Sequence, residues 1–409
     1  MLKQSGDRRY VRLLCSCDRY NYGDLLFPIV TRAALTSIFG SDDRYDFAQY
    51  GLARSDLSVY GALPSRGIRD LYRDAKNGDV VLLAGGENLA QTWFAMHLTL
   101  LSTETAERWR KYPMWLSAAL VERLSRWQYR GRQQFPYILS TDQFASGVRV
   151  MYNSMGGWPL RLYPPRSQQA IAASLSKASF ISVRDLESAS MLRELDPALR
   201  IHTAPDCVFL AADLLPRARL TELISPEVRE LLQGADEFLC FQCNPPYGQA
   251  NRVELKRQLL TLSAQSGLSI LLTPIGRIYA FEDDVFLASL GAEMGDRVRV
   301  LPASATIYDI LYTLASARLF CGTSLHGVVT ALTYGVPFVP LLTEDPKLGN
   351  NLKSWEVSGL FPPTLAAGLT AQALRSLESS GPVVDGYAAR LRAAAQANMQ
   401  RLAECILAG

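Results

Sequence analysis

Histidine is rare in this chain, and one of its three histidines stands at a place suited to chemistry. His326 lies in "LFCGTSLHGVVTALTYG", where an apolar run that predicts a strand ends at Gly322 and a helical pattern follows. The first turn of a helix has unpaired backbone N–H groups and the positive end of the helix dipole, which favour an anion. We therefore predict that Ser324, Leu325 and Gly327 bind an anion and that His326, with a pKa near neutrality, exchanges protons with it. The alternative is a core histidine at a domain interface.

A second candidate is Arg184, which follows the apolar run "FISV" and precedes the helical pattern "LESASMLREL". A guanidinium at the end of a strand suits bidentate binding of a phosphate or a carboxylate. In the alternative interpretation, Arg184 forms an ion pair with Asp185 or Glu187 at the start of the helix. The residues alone leave both interpretations open.

A third candidate is the loop "NYGD", which follows the first apolar run and places Asn21, Gly23 and Asp24 before a helical pattern. Gly23 permits an unusual backbone angle, and Asp24 can cap the following helix. Helix capping is the ordinary interpretation of Asp24. The alternative is that Asp24 binds a substrate or acts as a base.

Two glycine-containing loops also follow apolar runs, Gly85 and Gly86 in "LLAGGENL" and Ser154 and Gly156 in "YNSMGG". Glycines at such places let a ligand approach the backbone closely. A plain turn is equally compatible with both loops.

The elements that would position these residues are short apolar runs alternating with longer helical patterns, which predicts an α/β fold with parallel sheets. The runs include "RLLCSC", "DVVLLAGG", "PYILST", "ASFISVRD", "EFLCFQCN", "LSILLTPIG", "RVRVLPA", "ARLFCGTS" and "PFVPLL". A charged stretch without strand pattern separates two series of such runs at residues 216–235. We predict two Rossmann-like domains facing each other across a cleft, as in glycosyltransferase-B-like folds, with ligands at the carboxyl ends of the strands.

The predicted N-terminal domain covers residues 1–215 and includes a helical insertion at about 103–135, and the C-terminal domain covers residues 236–385. The last segment, residues 386–409, is predicted to be a helix that packs back on the first domain.

The composition of the 409 residues, 48% hydrophobic and 20% charged, is typical of a globular protein with large cores. A net charge of +3 argues against nucleic acid as a partner.

Seven cysteines, mostly in apolar runs, indicate a reduced, cytoplasmic chain. Cys240 and Cys243 have CxxC spacing on a predicted strand, where residues three apart face opposite sides, so we predict no metal site. The sequence shows neither a signal peptide nor a stretch of about 18 apolar residues that would span a membrane.

Residues 105–137 combine basic and aromatic side chains on a helical pattern, with seven Arg or Lys against two Glu. Trp109, Trp115 and Trp127 lie within it. Such a segment suits peripheral contact with an anionic membrane surface at the inner leaflet. The alternative, which the usual packing of tryptophan favours slightly, is a helical insertion with tryptophans in the core or in a dimer contact.

Taken together, these stretches resemble the polysaccharide pyruvyl transferase family, in the family's order across about residues 12–360. The specific parts are "SVRD" with "PDCVFL" and the block "LHGVVTALTYGVP", whereas the glycine loops are generic. The resemblance implies a glycosyltransferase-B-like fold. It also implies transfer of the enolpyruvyl group of phosphoenolpyruvate to sugar hydroxyls of a surface polysaccharide or its lipid-linked precursor. In the ketal-forming members, a cyclic pyruvate acetal forms and phosphate is released.

The resemblance also assigns roles. The family histidine falls on His326, the arginine of "SVRD" on Arg184, and the acidic residue of the "NYGD" loop on Asp24. The N-terminal domain would hold the saccharide acceptor and the C-terminal domain phosphoenolpyruvate. The implied chemistry requires no redox cofactor and no obligatory metal.

The chain departs from the family at one position, because the family commonly has Arg-Leu-His-Gly where this sequence has Ser324-Leu325-His326-Gly327. Lys347 or Arg277 would then supply the missing positive charge, or the donor is different. Two other functions therefore stay open. They are a glycosyltransferase that uses a nucleotide sugar and a non-catalytic member of a polysaccharide assembly complex.

Overall fold

The computed structural model describes residues 8–110, 114–233, 237–379 and 381–409 of the chain. It confirms the α/β class: two parallel sheets are each flanked by helices. Strands buried on both faces explain why the sequence has short, nearly continuous apolar runs instead of alternating ones. In "VVLLA", for instance, all five side chains of the strand are buried.

The strands of the first half are β1 (Arg9–Leu14), β2 (Tyr45–Gly51), β3 (Arg66–Gly67), β4 (Val80–Ala84), β5 (Arg149–Met155), β6 (Phe180–Val183) and β7 (His202–Thr203). Its helices are α1 (Tyr22–Phe39), α2 (Ile68–Asp74), α3 (Trp93–Leu98), α4 (Thr103–Arg110), α5 (Met114–Gln128), α6 (Pro165–Leu175), α7 (Leu186–Leu195), α8 (Ala211–Leu214), α9 (Arg217–Leu223) and α10 (Pro226–Leu232).

The strands of the second half are β8 (Phe238–Gln242), β9 (Ser269–Leu272), β10 (Arg277–Ile278), β11 (Phe281–Glu282), β12 (Val298–Val300), β13 (Leu319–Gly322) and β14 (Phe338–Pro340). Its helices are α11 (Pro245–Ala250), α12 (Arg252–Ser266), α13 (Asp283–Met294), α14 (Ile307–Ser316), α15 (Leu325–Thr333), α16 (Lys347–Ser354), α17 (Leu369–Glu378) and α18 (Pro382–Leu407).

The strand order is β3-β2-β1-β4-β5-β6-β7 in the first sheet and β12-β9-β8-β13-β14 in the second. Both are doubly wound orders, in which the direction of chain progression reverses between two central strands. The reversals fall between β1 and β4 and between β8 and β13. Ligands of doubly wound folds bind outside the carboxyl ends of the strands at this point.

The predicted strand "PYILST" is wrong, because this stretch contains no strand residue although its apolar side chains are buried. The hydroxyl of Tyr152 donates to the Leu139 carbonyl at 2.6 Å and accepts from the Leu139 amide at 2.8 Å. A side chain thus replaces the neighbouring strand that would otherwise satisfy this backbone.

The segment between the two series of strands is helical. Helices α9 and α10 occupy most of residues 216–235, and Leu220 and Val228 are buried in the core. Residues 234–236 lie outside the described part of the chain.

The two halves share one apolar cluster, which contains Val11 of β1 and Phe320 of β13 as well as residues of α1, α15 and α18. On the side of the strands' carboxyl ends, the backbones of the two halves also touch. The Tyr22 amide donates to the Ile275 carbonyl, and the Arg277 amide donates to the Tyr20 carbonyl, both at 3.1 Å. The relative placement of the two sheets is therefore fixed by both packing and hydrogen bonds.

Helix α18 contacts the first sheet. Arg149 of β5 donates to the Cys405 carbonyl at 2.6 Å, and Asn398 donates to the Asn153 side chain at 2.8 Å.

Cys240 and Cys243 pack in different apolar clusters, on the two sides of β8. In the described part of the chain, no helix is both long and apolar enough to cross a membrane.

Candidate active site

The loops after the central strands of both sheets line one cleft of about 430 Å³. Its charged and amide-bearing lining residues come from both halves of the chain. They are Arg19, Asn21, Asp24, Glu87, Asn88, Gln91, Arg184, Gln242, Asn244, Asp283, Asp345 and Lys347, together with His326.

Several buried polar atoms of this wall have no hydrogen-bond partner among the described residues. They are Asn21 Oδ1, Glu87 Oε1, Asp283 Oδ1 and His326 Nε2. A buried polar atom left unpaired costs about 1–3 kcal/mol, so such groups call for a functional explanation. Their convergence on one cleft makes it the candidate active site.

His326 lies in the first turn of α15, as predicted, where its ring makes an edge-to-face contact with Phe27 at a centroid distance of 5.2 Å. Burial lowers the pKa of His326 well below its ordinary value, and the positive charges of Arg184 and Lys347 lower it further. The prediction of a pKa near neutrality is therefore wrong. The surroundings of the imidazole favour its neutral form.

Gly23 lies directly against His326, since a Cβ on Gly23 would overlap the imidazole ring. The predicted unusual backbone angle is wrong, because Gly23 does not have a positive φ. The glycine is required for space: the first half must approach the histidine of the second half closely.

Asp24 lies in the first turn of α1 and does not cap it, because Asn21 occupies the N-cap position. The capping interpretation is therefore wrong. Burial raises the pKa of Asp24 from its ordinary 3.8 to about 6, although Arg19, Arg184 and other nearby charges oppose the shift. Asp24 thus holds a proton at a higher pH than an exposed aspartate does.

Arg184 follows β6 and is only 2% exposed. It donates to Glu87 Oε2 at 2.8 Å and to Asp206 Oδ2 at 3.3 Å. The alternative of a pair with Asp185 or Glu187 is wrong. Asp185 caps α7 by accepting from the Ser188 amide, and the partner of Glu187 is Arg161.

Glu87 was not predicted as a site residue. Arg184 binds one of its carboxylate oxygens and leaves Oε1 without a partner at the cleft. Burial raises the pKa of Glu87, and the charge of Arg184 opposes this. A Cβ on Gly156 would overlap Oε2 of Glu87. The signal in the sequence was an acidic residue directly after the glycine pair of "LLAGGEN".

The predicted anion site at the start of α15 is only partly available. Gln242 Oε1 accepts from the amides of Thr323 and Ser324 at 3.2 and 2.9 Å, and Ser324 Oγ accepts from the Gly327 amide at 3.2 Å. The Leu325 and His326 amides have no bond to the described residues. Leu325 also packs in the core, and Gly327 contacts Phe320 and Ile275.

Of the two cations proposed to replace the family arginine, only Lys347 lines the cleft. Its Nζ lies 3.1 Å from Asp345 and 5.7 Å from the centroid of the Phe281 ring. Arg277 lies outside the cleft, stacked on Tyr20, with its guanidinium donating to the backbone carbonyls of Pro302 and Ala303. Arg19, which the prediction overlooked, is held by Asp18 and the Met96 carbonyl.

Glycines of the two loops pack against residues that line the cleft. Gly85 and Gly86 have φ values of 73° and 85°, and a Cβ on Gly86 would stand 3.5 Å from Asp24 Oδ1. Ser154 is fully buried at an irregularity of β5, where its amide donates to Ser182 Oγ at 2.8 Å, and it does not line the cleft.

Asp283, at the start of α13, is a further residue that the sequence did not reveal. Its Oδ2 accepts from Gln242 Nε2 at 2.8 Å and from the Gly276 and Ile275 amides at 3.0 and 3.2 Å. Its Oδ1 has no partner in the described structure. Burial raises the pKa of Asp283 to about 7, and these hydrogen bonds oppose the shift.

Residues 145–345 match the family model for polysaccharide pyruvyl transferase. The resemblance inferred from the motifs is thus confirmed over this segment, which contains Arg184, Asp283 and His326. The match supports a transferase of polysaccharide biosynthesis. No curated protein sequence matches the chain.

Solved structures of similar fold include UDP-GlcNAc 2-epimerases. UDP-GlcNAc 2-epimerase from Methanocaldococcus jannaschii is 10% identical over 90% of this chain and 92% of its own, with a TM-score of 0.52. The enzyme from Neisseria meningitidis bound to UDP-GlcNAc is 9% identical over 98% and 99%, with a TM-score of 0.54. TcCGT1 in complex with UDP is 13% identical over 98% and 99%, with a TM-score of 0.53. The likeness confirms two Rossmann-like domains in a glycosyltransferase-B-like arrangement, and at these identities it concerns the fold alone.

Proposed function

We propose that this chain transfers the pyruvyl moiety of phosphoenolpyruvate to a pair of saccharide hydroxyls and releases phosphate. The observation that carries the proposal is the pair formed by Asp24 and His326. They come from opposite halves and line the same cleft, and their environments shift the two pKa values in opposite senses. Burial favours the protonated form of Asp24 and the neutral form of His326, which are the forms in which they can act as acid and base.

Phosphoenolpyruvate carries a carboxylate and a phosphate, so its site must supply positive charge at two places. Lys347 and Arg184 both line the cleft. The charge of Arg184 is already balanced by two buried carboxylates, whereas Lys347 has a partly exposed pair with Asp345. We therefore propose that Lys347 binds one of the two anionic groups of phosphoenolpyruvate, which would replace Asp345 as its partner. The other anionic group of phosphoenolpyruvate is bound by Arg184 and by the unpaired amides of Leu325 and His326.

The proposed reaction begins with transfer of the Asp24 proton to C3 of phosphoenolpyruvate, which makes C2 electrophilic. The first saccharide hydroxyl forms an O–C2 bond and gives its proton to His326. The second hydroxyl then forms its O–C2 bond as the bond from C2 to the phosphate oxygen breaks. Its proton returns to the Asp24 carboxylate, and the His326 proton leaves on phosphate. Protons and electrons balance in this sequence without a redox cofactor or an obligatory metal.

Calorimetric titration of the purified chain with phosphoenolpyruvate, UDP-glucose and GDP-mannose tests the donor. We expect saturable binding of phosphoenolpyruvate alone, at least about tenfold weaker in Lys347→Met, since a close ion pair contributes roughly 1–3 kcal/mol. Lys353→Met is the matched control, because Lys353 lies on the same helix and is exposed outside the cleft. Binding of a nucleotide sugar in place of phosphoenolpyruvate would replace the proposal with a glycosyltransferase. Absence of binding by every donor would favour a non-catalytic assembly protein.

We also propose that α5 contacts an anionic lipid surface on the cytoplasmic side, which would bring the cleft to a lipid-linked acceptor. Leu120, Leu124 and Trp127 are spaced for one helix face, and their exposed fractions are 49%, 45% and 78%. Glu122, the sole acidic residue in the sequence of α5, faces inward and accepts from the amide of Trp93 at 3.1 Å. The exposed tryptophan argues against the core interpretation of that residue. Residues 111–113 and the side chain of Trp115 lie outside the described structure.

A further inference from the structure

We infer that Asp283 and Phe281 form the subsite that binds the saccharide acceptor. This inference rests on the proposed function and gives the acceptor a place in the cleft. It assigns the acceptor to the second half of the chain, whereas the sequence resemblance implied the first half.

The carboxyl group of Asp283 presents a single unsatisfied oxygen. Its Oδ2 is saturated by three N–H donors, while its buried Oδ1 has no partner among the described residues and lies in the cleft wall. A saccharide hydroxyl is a donor that this oxygen can accept from. The anionic donor is assigned to Lys347 and Arg184, whose positive charges attract it.

Phe281 supplies an apolar surface in the same cleft as Asp283. It lies on β11, lines the cleft and keeps 36% of its surface exposed. A saccharide ring presents C–H groups on its faces and hydroxyls at its edges, so an aromatic ring next to a hydrogen-bond acceptor matches both. Because Lys347 Nζ is 5.7 Å from the Phe281 ring centroid, a sugar on Phe281 would adjoin the donor.

The hairpin of β10 and β11 is held from both halves. Ile278 pairs with Phe281 and Arg277 with Glu282, and Ala280 has a φ of 68° in the turn. Thr103 of α4 donates to Glu282 at 2.6 Å, and Tyr279 donates to Glu107 of the same helix at 3.1 Å. The saccharide surface is therefore preorganised, which lowers the entropy cost of binding.

Saturation-transfer NMR with a panel of methyl hexopyranosides tests this subsite without the donor. We expect saturation transfer to at least one glycoside in the native chain and at least about tenfold weaker binding in Asp283→Asn and Phe281→Ala. In Asp283→Asn, the side-chain oxygen keeps the three donors of Oδ2, and an amide NH₂ group takes the place of Oδ1. Lys353→Met is the control and should bind the glycoside as the native chain does, because Lys353 is exposed and lies outside the cleft. Calorimetry with phosphoenolpyruvate should give the same affinity for Asp283→Asn as for the native chain.

Steady-state kinetics separate binding from a purely structural role. Asp283→Asn should raise the KM for the glycoside with little change in kcat, because the lost contact is made equally in ground and transition states. The inference is overturned if no glycoside binds the native chain, if both variants bind glycosides normally, or if Asp283→Asn weakens phosphoenolpyruvate binding instead. A chain that binds glycosides through Asp283 but binds no phosphoenolpyruvate would overturn the proposed donor and leave the subsite standing.

Discussion

Gly23 at the start of α1 lies directly against the imidazole of His326 at the start of α15, and a single added methyl group would overlap the ring. The contact joins the two halves of the chain at the candidate active site. Its backbone surroundings are fixed by the hydrogen bond from the Tyr22 amide to the Ile275 carbonyl. The position of the histidine therefore depends on the absence of a side chain on the other half.

Gly23→Ala should lower kcat/KM by about 100-fold, because displacement of a catalytic group by about 1 Å has effects of this size. The measurement is phosphate release from phosphoenolpyruvate with a glycoside acceptor. Gly386→Ala in α18 is the matched control, since a Cβ there meets no atom within 4 Å. Native activity in Gly23→Ala would show that the ring is free to move away without consequence.

His326→Gln should lower kcat by about 10²–10⁴-fold, which is the usual contribution of a general acid–base group. Glutamine keeps a polar side chain at the cleft but cannot accept and return a proton. The far-ultraviolet circular dichroism spectrum should stay unchanged. If kcat is retained while KM rises, His326 binds the substrate and does not transfer its proton.

The pH profile of kcat/KM should fall as the pH rises above about 6, because the free enzyme then loses the Asp24 proton needed at C3. Asp24→Asn should abolish the reaction at every pH. A native profile that stays level between pH 6 and pH 8 would contradict the role of Asp24 as the acid.

The same carboxyl group affects stability. Between pH 3.8 and about 6, the folded chain keeps a proton on Asp24 that the unfolded chain has released. The free energy of unfolding therefore decreases as the pH rises through this window, by at most about 3 kcal/mol. Urea unfolding at pH 4 and pH 7 should show that Asp24→Asn is stabilised relative to the native chain at pH 7 only. An equal effect at both pH values would mean that the pKa of Asp24 is not raised.

Arg184→Met should lower the free energy of unfolding by about 3–5 kcal/mol, because it leaves the buried carboxylates of Glu87 and Asp206 without their cation. The double variant Arg184→Met, Glu87→Gln should recover part of this loss in urea unfolding. Arg108→Met is the control. It removes an exposed pair with Glu104, which contributes about 0–1 kcal/mol. No recovery in the double variant would show that Glu87 is paired elsewhere.

Trp127→Ser should weaken cosedimentation of the chain with phosphatidylglycerol vesicles by about tenfold, as expected for removing a large apolar side chain from the lipid interface. Val253→Ser is the matched control, because Val253 is 83% exposed on α12 of the other half. The same binding by both variants, or none by the native chain, would contradict a lipid contact through α5.

The amino-acid sequence by itself determined the strands and the positions just after them. Apolar runs such as "VVLLA" and "LFCG" became buried parallel strands, and Asp24, Arg184 and His326 follow strands whose carboxyl ends line the cleft. This was accessible because periodicity and turn residues are local properties, and the geometry of parallel sheets brings strand ends together. The motifs around Arg184 and His326 also carried the family resemblance.

Only the tertiary structure decided which groups meet and in which charge state. The partners of Arg184 are Glu87 and Asp206, from loops 97 and 22 residues away in the chain, and not its acidic neighbours. Pairing over such distances depends on the strand order, which no local pattern specifies. The pKa values of Asp24 and His326 move in opposite directions because burial disfavours the charged form of each, and burial exists only once the two halves have packed together.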